Sequence, residues 1–437
     1  MSSTAPRLAF YGDDFTGATD ALATAARAGL RSLLFFDVPT PMQLRRAGPL
    51  DCLGIAGATR ALAPEGMQTA LRPVARFFAG LGPRVIHYKV CSTFDSAPQA
   101  GNFAVAIEAL RAAAPGAGPL VVVGGQPRLG RDCLFSQLFA AADGEIHRID
   151  RPPTMSRHPV TPMDEADLRR HLARLGLDGV AALDYRTCAA GSAAVQARLD
   201  DLRAAAAPAV LFDVAQASDL APIGAALAAA SAHDPVLALG PSSVIEALNT
   251  QWGDGTPPVP EGISPAQGPV LVLAGSLSPM TARQVAGATS YRRICLDPLG
   301  LVDDDPGYRE RTARQLAAHL RDGDHVLAWI DNAQGARTAG VQSHSLASAG
   351  GRLLDAVLRE TPVSRLGVAG GDSSSLAMQA LDAWGLSYLR RIAPGVPLCR
   401  LHSDVPSLDG TEVMLKGGQM GTPDLFEQFA HGSRENA

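Results

Sequence analysis

The sequence of 437 residues has no run of basic residues, no paired cysteines and no long apolar stretch. Lys and Arg number 38 against 43 Asp and Glu, a formal net charge of -5. That balance leaves no basic footprint and excludes nucleic-acid binding as the expected role. An acidic chain that binds anions must do so with backbone amides and a few placed basic groups. The six cysteines (Cys52, Cys91, Cys133, Cys188, Cys295, Cys399) are scattered, with no C-x-x-C and no paired spacing with His. This argues against a disulfide framework or a zinc site and fits reduced thiols in a cytoplasmic protein. Asp13 and Asp14 interrupt the first apolar run, so neither a secretory leader nor a membrane span is expected. No G-x-G-x-x-G opens either half, and no G-x-S-x-G nucleophile elbow occurs.

What the chain does have is a globular balance of 46% hydrophobic and 19% charged residues. Its length exceeds one ordinary core, so two domains are expected. Apolar runs of strand character end in small and polar residues with helical pattern between them, as at Leu8–Tyr11, Arg31–Asp37, Asp51–Ala56, Arg84–Val90, Leu120–Gly124, Val180–Asp184 and Ala209–Val214. Pro235–Gly240 is a weaker strand candidate. The alternation predicts an α/β fold of two domains, each a mostly parallel sheet flanked by helices, with an active-site cleft between them. Gln251–Gly268, rich in Gly and Pro and poor in strong apolar residues, reads as a linker. The expected division is 1–250, linker 251–268, and 269–437. The second half repeats the pattern at Pro269–Ala274, Arg293–Leu296, His325–Ile330, Arg365–Ala369 and Glu412–Leu415. A Pro-rich passage, Arg148–Met163, is expected to form an ordered irregular loop.

The most informative stretch is Leu8–Asp20, LAFYGDDFTGATD: a strand, a tight loop carrying two adjacent carboxylates, and the start of an Ala-rich helix. In open α/β sheets the loop at the carboxyl end of a strand faces the ligand crevice. Two acids there suit a hydroxyl that must lose a proton, or a metal; in the competing reading Asp14 or Thr16 merely caps the helix. Arg60 and Lys89 each stand at a strand end, where a guanidinium can fork onto a carboxylate and an ammonium adds a point charge. Ser92, Thr93, Asp95 and Asn102 are candidates for contact with sugar hydroxyls. His158 reads either as a substrate contact or as a loop histidine bonded to backbone. In the second half, Gly370–Ser375 lies between strand and helix and offers two glycines and three hydroxyls to a phosphate, without the P-loop lysine. Gly275–Ser278 and Gly417-Gly418 after Lys416 are two further small-residue loops, and three such loops fit a nucleotide. Asp372 can meet ribose or a magnesium shell, or cap its helix.

Seven motifs in order resemble the four-carbon acid sugar kinase family over nearly the whole chain. They are Asp13–Ala18, Lys89–Ser96, His158–Met163, Gly275–Ser278, Gly370–Ser373, Pro394–Pro397 and Leu415–Gly418. The resemblance implies a sugar-acid domain followed by an ATP domain, and transfer of the γ-phosphoryl group to a terminal hydroxyl. Asp13 or Asp14 would orient or deprotonate that hydroxyl. Arg60, Lys89, Val90, Cys91 and Ser92, with His158, would hold the acid. Ser276, Ser278, Gly370, Gly371, Asp372, Ser373, Gly417 and Gly418 would hold ATP, with Mg2+ bridging its phosphates. The form Cys91–Ser96 is closest to the 3-oxo-tetronate kinase branch. Gln126–Phe135 and Phe103-Ala104 depart from the family pattern, which keeps a branched acid such as 3-oxo-isoapionate open. A non-catalytic sugar-acid binding protein is the alternative from another class, and a homodimer is compatible with the sequence but not required by it.

Overall fold

A computed structural model describes residues 5–142, 144–156, 161–253, 262–302, 306–330 and 343–433. Two compact units are present, one of Met1–Leu33 with Thr40–Pro258 and one of Leu34–Pro39 with Val259–Ala437. The strands of the chain's amino-terminal part are β1 (Leu8–Gly12), β2 (Ser32–Phe35), β3 (Cys52–Ala56), β4 (Val85–Lys89), β5 (Leu120–Gly124), β6 (Arg131–Leu134), β7 (Gln137–Ala142), β8 (Glu145–Arg148), β9 (Val180–Leu183), β10 (Ala209–Asp213) and β11 (Val236–Gly240). Those that follow are β12 (Val270–Ala274), β13 (Tyr291–Leu296), β14 (His325–Ile330), β15 (Arg365–Ala369), β16 (Gly385–Ala393), β17 (Val396–His402) and β18 (Glu412–Lys416).

In the first unit β3-β1-β4-β11-β5-β10-β9 run side by side and all parallel. Every residue of β1, β3, β4, β10 and β11 is buried. Burial of both strand faces produces the continuous apolar runs seen in the sequence, because helices cover both sides of a parallel sheet. Register sets the site: Gly12 lies opposite Ala56 and Lys89, and Lys89 opposite Gly240, so the loops after β3, β1, β4 and β11 leave from one edge. The helix Phe15–Arg27 starts at an Asp14 cap and Phe103–Arg111 at an Asn102 cap, each side chain accepting from amides that the helix leaves unpaired. An antiparallel sheet β6-β7-β8 lies outside the main sheet.

In the second unit the order is β13-β14-β12-β15-β18-β17-β16, parallel through β18 and antiparallel thereafter. Leu34 and Phe35 extend this unit, pairing with Leu386 and Gly385, and Phe35 stacks on Trp384 at 6.0 Å. Ala274, Ala369 and Lys416 lie level at adjacent strand ends.

The α/β class and mostly parallel sheets are as expected. The weak candidate Pro235–Gly240 forms β11, between β4 and β5. The Pro-rich passage contains a short helix, Pro153–Ser156. His158, together with residues 254–261 of the expected linker, lies outside the described residues.

Candidate active site

Both acids of the first loop are buried, Asp13 to 1% and Asp14 to 6% exposure. Asp14 caps the helix by accepting from the Gly17 amide at 2.6 Å and takes the Thr16 hydroxyl at 2.9 Å. The capping reading is therefore true of Asp14, yet capping is not its whole role. Arg60 donates from Nε and Nη2 to the two oxygens of Asp13 at 3.0 and 2.8 Å, and its Nη1 pairs with Asp14 at 2.9 Å. One guanidinium thus bridges both carboxylates, and the Asp13 carbonyl accepts the Arg60 amide at 3.2 Å. Burial pushes the Asp13 carboxyl up to about 6, against the pull of Arg60 and with a further push from Asp14. Burial also works on Asp14, but Arg60, Lys89 and the bonds from Gly17 and Thr16 hold it below its ordinary value. The proton affinities of two adjacent acids are thereby moved in opposite directions.

Lys89 is buried, donates to the Val90 carbonyl at 2.8 Å and acts electrostatically on Asp13, Asp14 and Asp20. The space around it is full: a Cβ added to Gly17 would stand 2.5 Å from Asp14 Oδ1 and 2.6 Å from Lys89 Nζ. Val90 is fully buried with its amide bonded to the Gly240 carbonyl, so its contribution is backbone shape. Cys91 is half-buried and Ser92 buried. Burial, and then the Asp95 carboxylate, raise the Cys91 thiol. Asp95 accepts from Thr93 and, at 3.4 Å, from Thr161, while Asn102 spends its oxygen on the helix cap.

Sequence reasoning missed a neighbouring buried ionic cluster. Arg128 donates to Asp20 at 2.8 and 2.9 Å and to Glu246, Gln126 donates to both acids at 3.2 Å, and the Ser242 hydroxyl donates to Asp20 at 2.6 Å. Burial would raise Asp20, but Arg128 and Lys89 hold it below its ordinary value. Its one sequence signal is an acid within the Ala-rich face of the first helix. A cavity of about 670 Å³ in this unit lies at the other ends of the strands, beside Pro119, Val210 and Pro235, away from these acids.

In the second unit the three small-residue loops meet. The Gly275 and Ser276 amides donate to the Ala369 carbonyl, each at 3.0 Å, and Gly370 donates to the Lys416 carbonyl at 2.9 Å. Ser278 Oγ and Thr281 Oγ1 donate to the Gly418 carbonyl at 2.5 and 3.0 Å. Lys416 Nζ donates to Thr281 at 3.0 Å and to Gly418 at 3.2 Å. Thr281 was not a sequence candidate, and Lys416 entered only as a member of the motif Leu415–Gly418, with no role of its own. With no carboxylate partner among the described residues, burial pulls its ammonium down to about 7. Gly370 has φ +121 and stands 3.2 Å, at its Cβ position, from the Ser276 amide, a conformation and an approach that suit glycine. Gly371 opens the helix Gly371–Ala380, with Asp372 exposed and Ser373 buried in its first turn. Gly417 precedes Gly418, whose Cβ position lies 2.5 Å from Ser276 Oγ. Beside these loops is a cavity of about 360 Å³ lined by Ala274, Leu277, Val285, Trp329 and Ile330.

Residues 8–248 match the model of a sugar-binding N-terminal domain, and residues 271–426 that of a nucleotide-binding C-terminal domain. The chain belongs to the four-carbon acid sugar kinase family. It is 37% identical to the 3-oxo-isoapionate kinase of Paraburkholderia graminis, over 97% of this chain and 94% of the relative. It is 31% identical to a 3-oxo-tetronate kinase of Methylobacterium radiotolerans, over 95% of this chain and 96% of the relative. A crystal structure of a protein from Salmonella typhimurium LT2 superposes with a TM-score of 0.79 at 24% identity, covering 97% of this chain and 98% of that one. That likeness speaks for the fold alone. Among the described residues, no helix is long and apolar enough to cross a membrane. Leu277 is exposed and lines the small cavity, while Gly418 is drawn into the loop bonds by its carbonyl.

Proposed function

We propose that this protein transfers the γ-phosphoryl group of ATP to a terminal hydroxyl of a 3-oxo sugar acid. The observation that carries the reading is the Asp13–Arg60–Asp14 bridge. It gives one buried carboxyl at about 6, ionised for the most part at neutral pH and able to accept a hydroxyl proton. Asp14 stays charged, caps the helix and fixes Arg60, and Lys89 adds positive charge that acts on both acids. On the second unit, Ser276, Ser278, Gly370–Ser373 and Gly417-Gly418 form the phosphate cradle, and the cavity at Leu277, Val285 and Trp329 takes the base. Among the described residues no group of three or more His, Cys, Asp or Glu could hold a metal. Magnesium would enter as the nucleotide's complex and supply charge neutralisation at the phosphates.

The 37% identity to a 3-oxo-isoapionate kinase favours a branched acid, and the 31% identity to a 3-oxo-tetronate kinase keeps the linear four-carbon acid as the second reading. The test is ADP release from Mg-ATP across linear and branched 3-oxo acids and their reduced forms. A single strong responder is expected. Silence across the panel, with thermal stabilisation by an acid still present, would refute the kinase reading in favour of a sugar-acid binding protein.

A further inference from the structure

Arg60, Arg128 and Arg131 follow β3 and β5 in the first unit, and two of the three are committed to protein carboxylates. Arg60 forks onto Asp13 and Asp14, and Arg128 onto Asp20 and Glu246. Neither has a free edge to offer the carboxylate of a sugar acid. Arg131, the first residue of β6, makes no ion pair within bonding distance among the described residues, and the adjacent Asp132 acts on it only electrostatically. Its Nη1 donates to the carbonyls of Leu129, Gly130 and Ala141 at 3.1, 3.0 and 3.3 Å. Those bonds fix the plane of the guanidinium from one side.

The other edge carries Nε and Nη2. Nε is buried and meets no acceptor, and among the described residues Nη2 has none either. This is the edge that takes a carboxylate through two parallel N–H···O bonds. An orphaned donor of this kind is costly unless something comes to meet it. Burial lowers the affinity of Arg131 for its proton, and Cys91 is the first neighbour that acts against this electrostatically. The Arg131 backbone pairs with that of Gln126 at 2.6 and 3.3 Å, and the Gln126 side chain donates to Asp20 and Glu246 at 3.2 Å, so Arg131 stands beside the buried cluster that neighbours the acid pair. We propose that the Nε–Nη2 edge of Arg131 binds the carboxylate of the sugar acid and makes the site select acids over neutral sugars. The proposal rests on the sugar-acid reading above and assigns the recognition of the acid to a residue outside the family motifs.

The test compares wild type with Arg131→Met and Arg131→Lys on the responding acid and on its carboxamide. In wild type kcat/KM should strongly favour the acid. In Arg131→Met the acid should lose on the order of a hundredfold or more, the carboxamide should change little, and the KM for ATP should stay. Arg131→Lys keeps the charge but not the fork, and should fall between. An equal loss on acid and carboxamide would show that Arg131 only clasps its hairpin and would overturn the proposal, as would a preference for the acid retained in both variants. If wild type releases no ADP with any acid, thermal stabilisation by acid against carboxamide, in wild type and Arg131→Lys, reads the same preference without turnover.

Discussion

Replacing Arg60 by Gln should move the acid limb of the pH–rate profile upward. With the guanidinium in place the Asp13 carboxyl sits at about 6, the outcome of burial raising it and Arg60 lowering it. A neighbouring arginine usually holds an aspartate down by roughly 1–3 units, so without it Asp13 would titrate near about 7–9. The base is the ionised form. At pH 7 its fraction would fall from about nine-tenths to between roughly half and one-hundredth, which lowers kcat/KM about 2- to 100-fold. The loss should be recovered as pH is raised towards 9. The assay is ADP release at saturating Mg-ATP and limiting acid between pH 5 and 9.5, since kcat/KM for the acid then reports the groups of the enzyme before the acid binds. A variant whose activity drops while its acid limb stays near 6 would refute the reasoning and place the base elsewhere. Stability offers an independent reading. The folded value of Asp13 lies above its ordinary 3.8, so the stability it contributes is complete below about pH 4 and is lost as pH rises through 6. In Arg60→Gln that loss should extend to higher pH.

Arg128→Ala should leave Asp20 and Glu246 without their guanidinium and cost about 3–5 kcal/mol in urea unfolding, as broken buried pairs do. A loss under about 1 kcal/mol, the level of a surface pair, would mean that water already serves the cluster. Lys416→Met removes a buried ammonium whose folded value, about 7, lies below its ordinary 10.5. The native state then binds fewer protons than the unfolded chain between those values, so wild-type stability should rise from pH 7 to 9. The variant should be more stable at pH 7 and show less of that rise; an unchanged rise would acquit Lys416.

The central parallel strands were legible because both their faces are buried, which leaves runs such as LVVVG at β5 and PVLVLA around β12 with no polar alternation to blur them. The antiparallel strands were not. Strand β16 reads GLSYLRRIA and is half-buried along much of its length, and β6 and β8 carry charges in four-residue runs; none has the pattern of a two-sided core strand. Within the site, the adjacency of Asp13 and Asp14 could be read directly. Their bridge could not, for Arg60 lies 47 residues from Asp13, and nothing local distinguishes a guanidinium that meets a substrate from one that meets its own chain. The Arg128 cluster spans 108 residues to Asp20 and 118 to Glu246 and is created by register alone. Lys416 stood in the motif Leu415–Gly418, but nothing local showed that its ammonium is buried against Thr281 and the Gly418 carbonyl.

The short segment Leu34–Pro39 has a consequence for the order in which the protein can be made. It belongs to the second unit, yet Phe35 and its partner Gly385 are roughly 350 residues apart in the chain. A ribosome releases this piece long before the sheet that receives it exists, and the segment must wait while the first unit collapses around it. A carboxyl-terminal fragment expressed from residue 259 onward would never receive it. Such a fragment would present the outer edge of β16, with Trp384 beside it, as an unpaired strand open to any neighbouring chain.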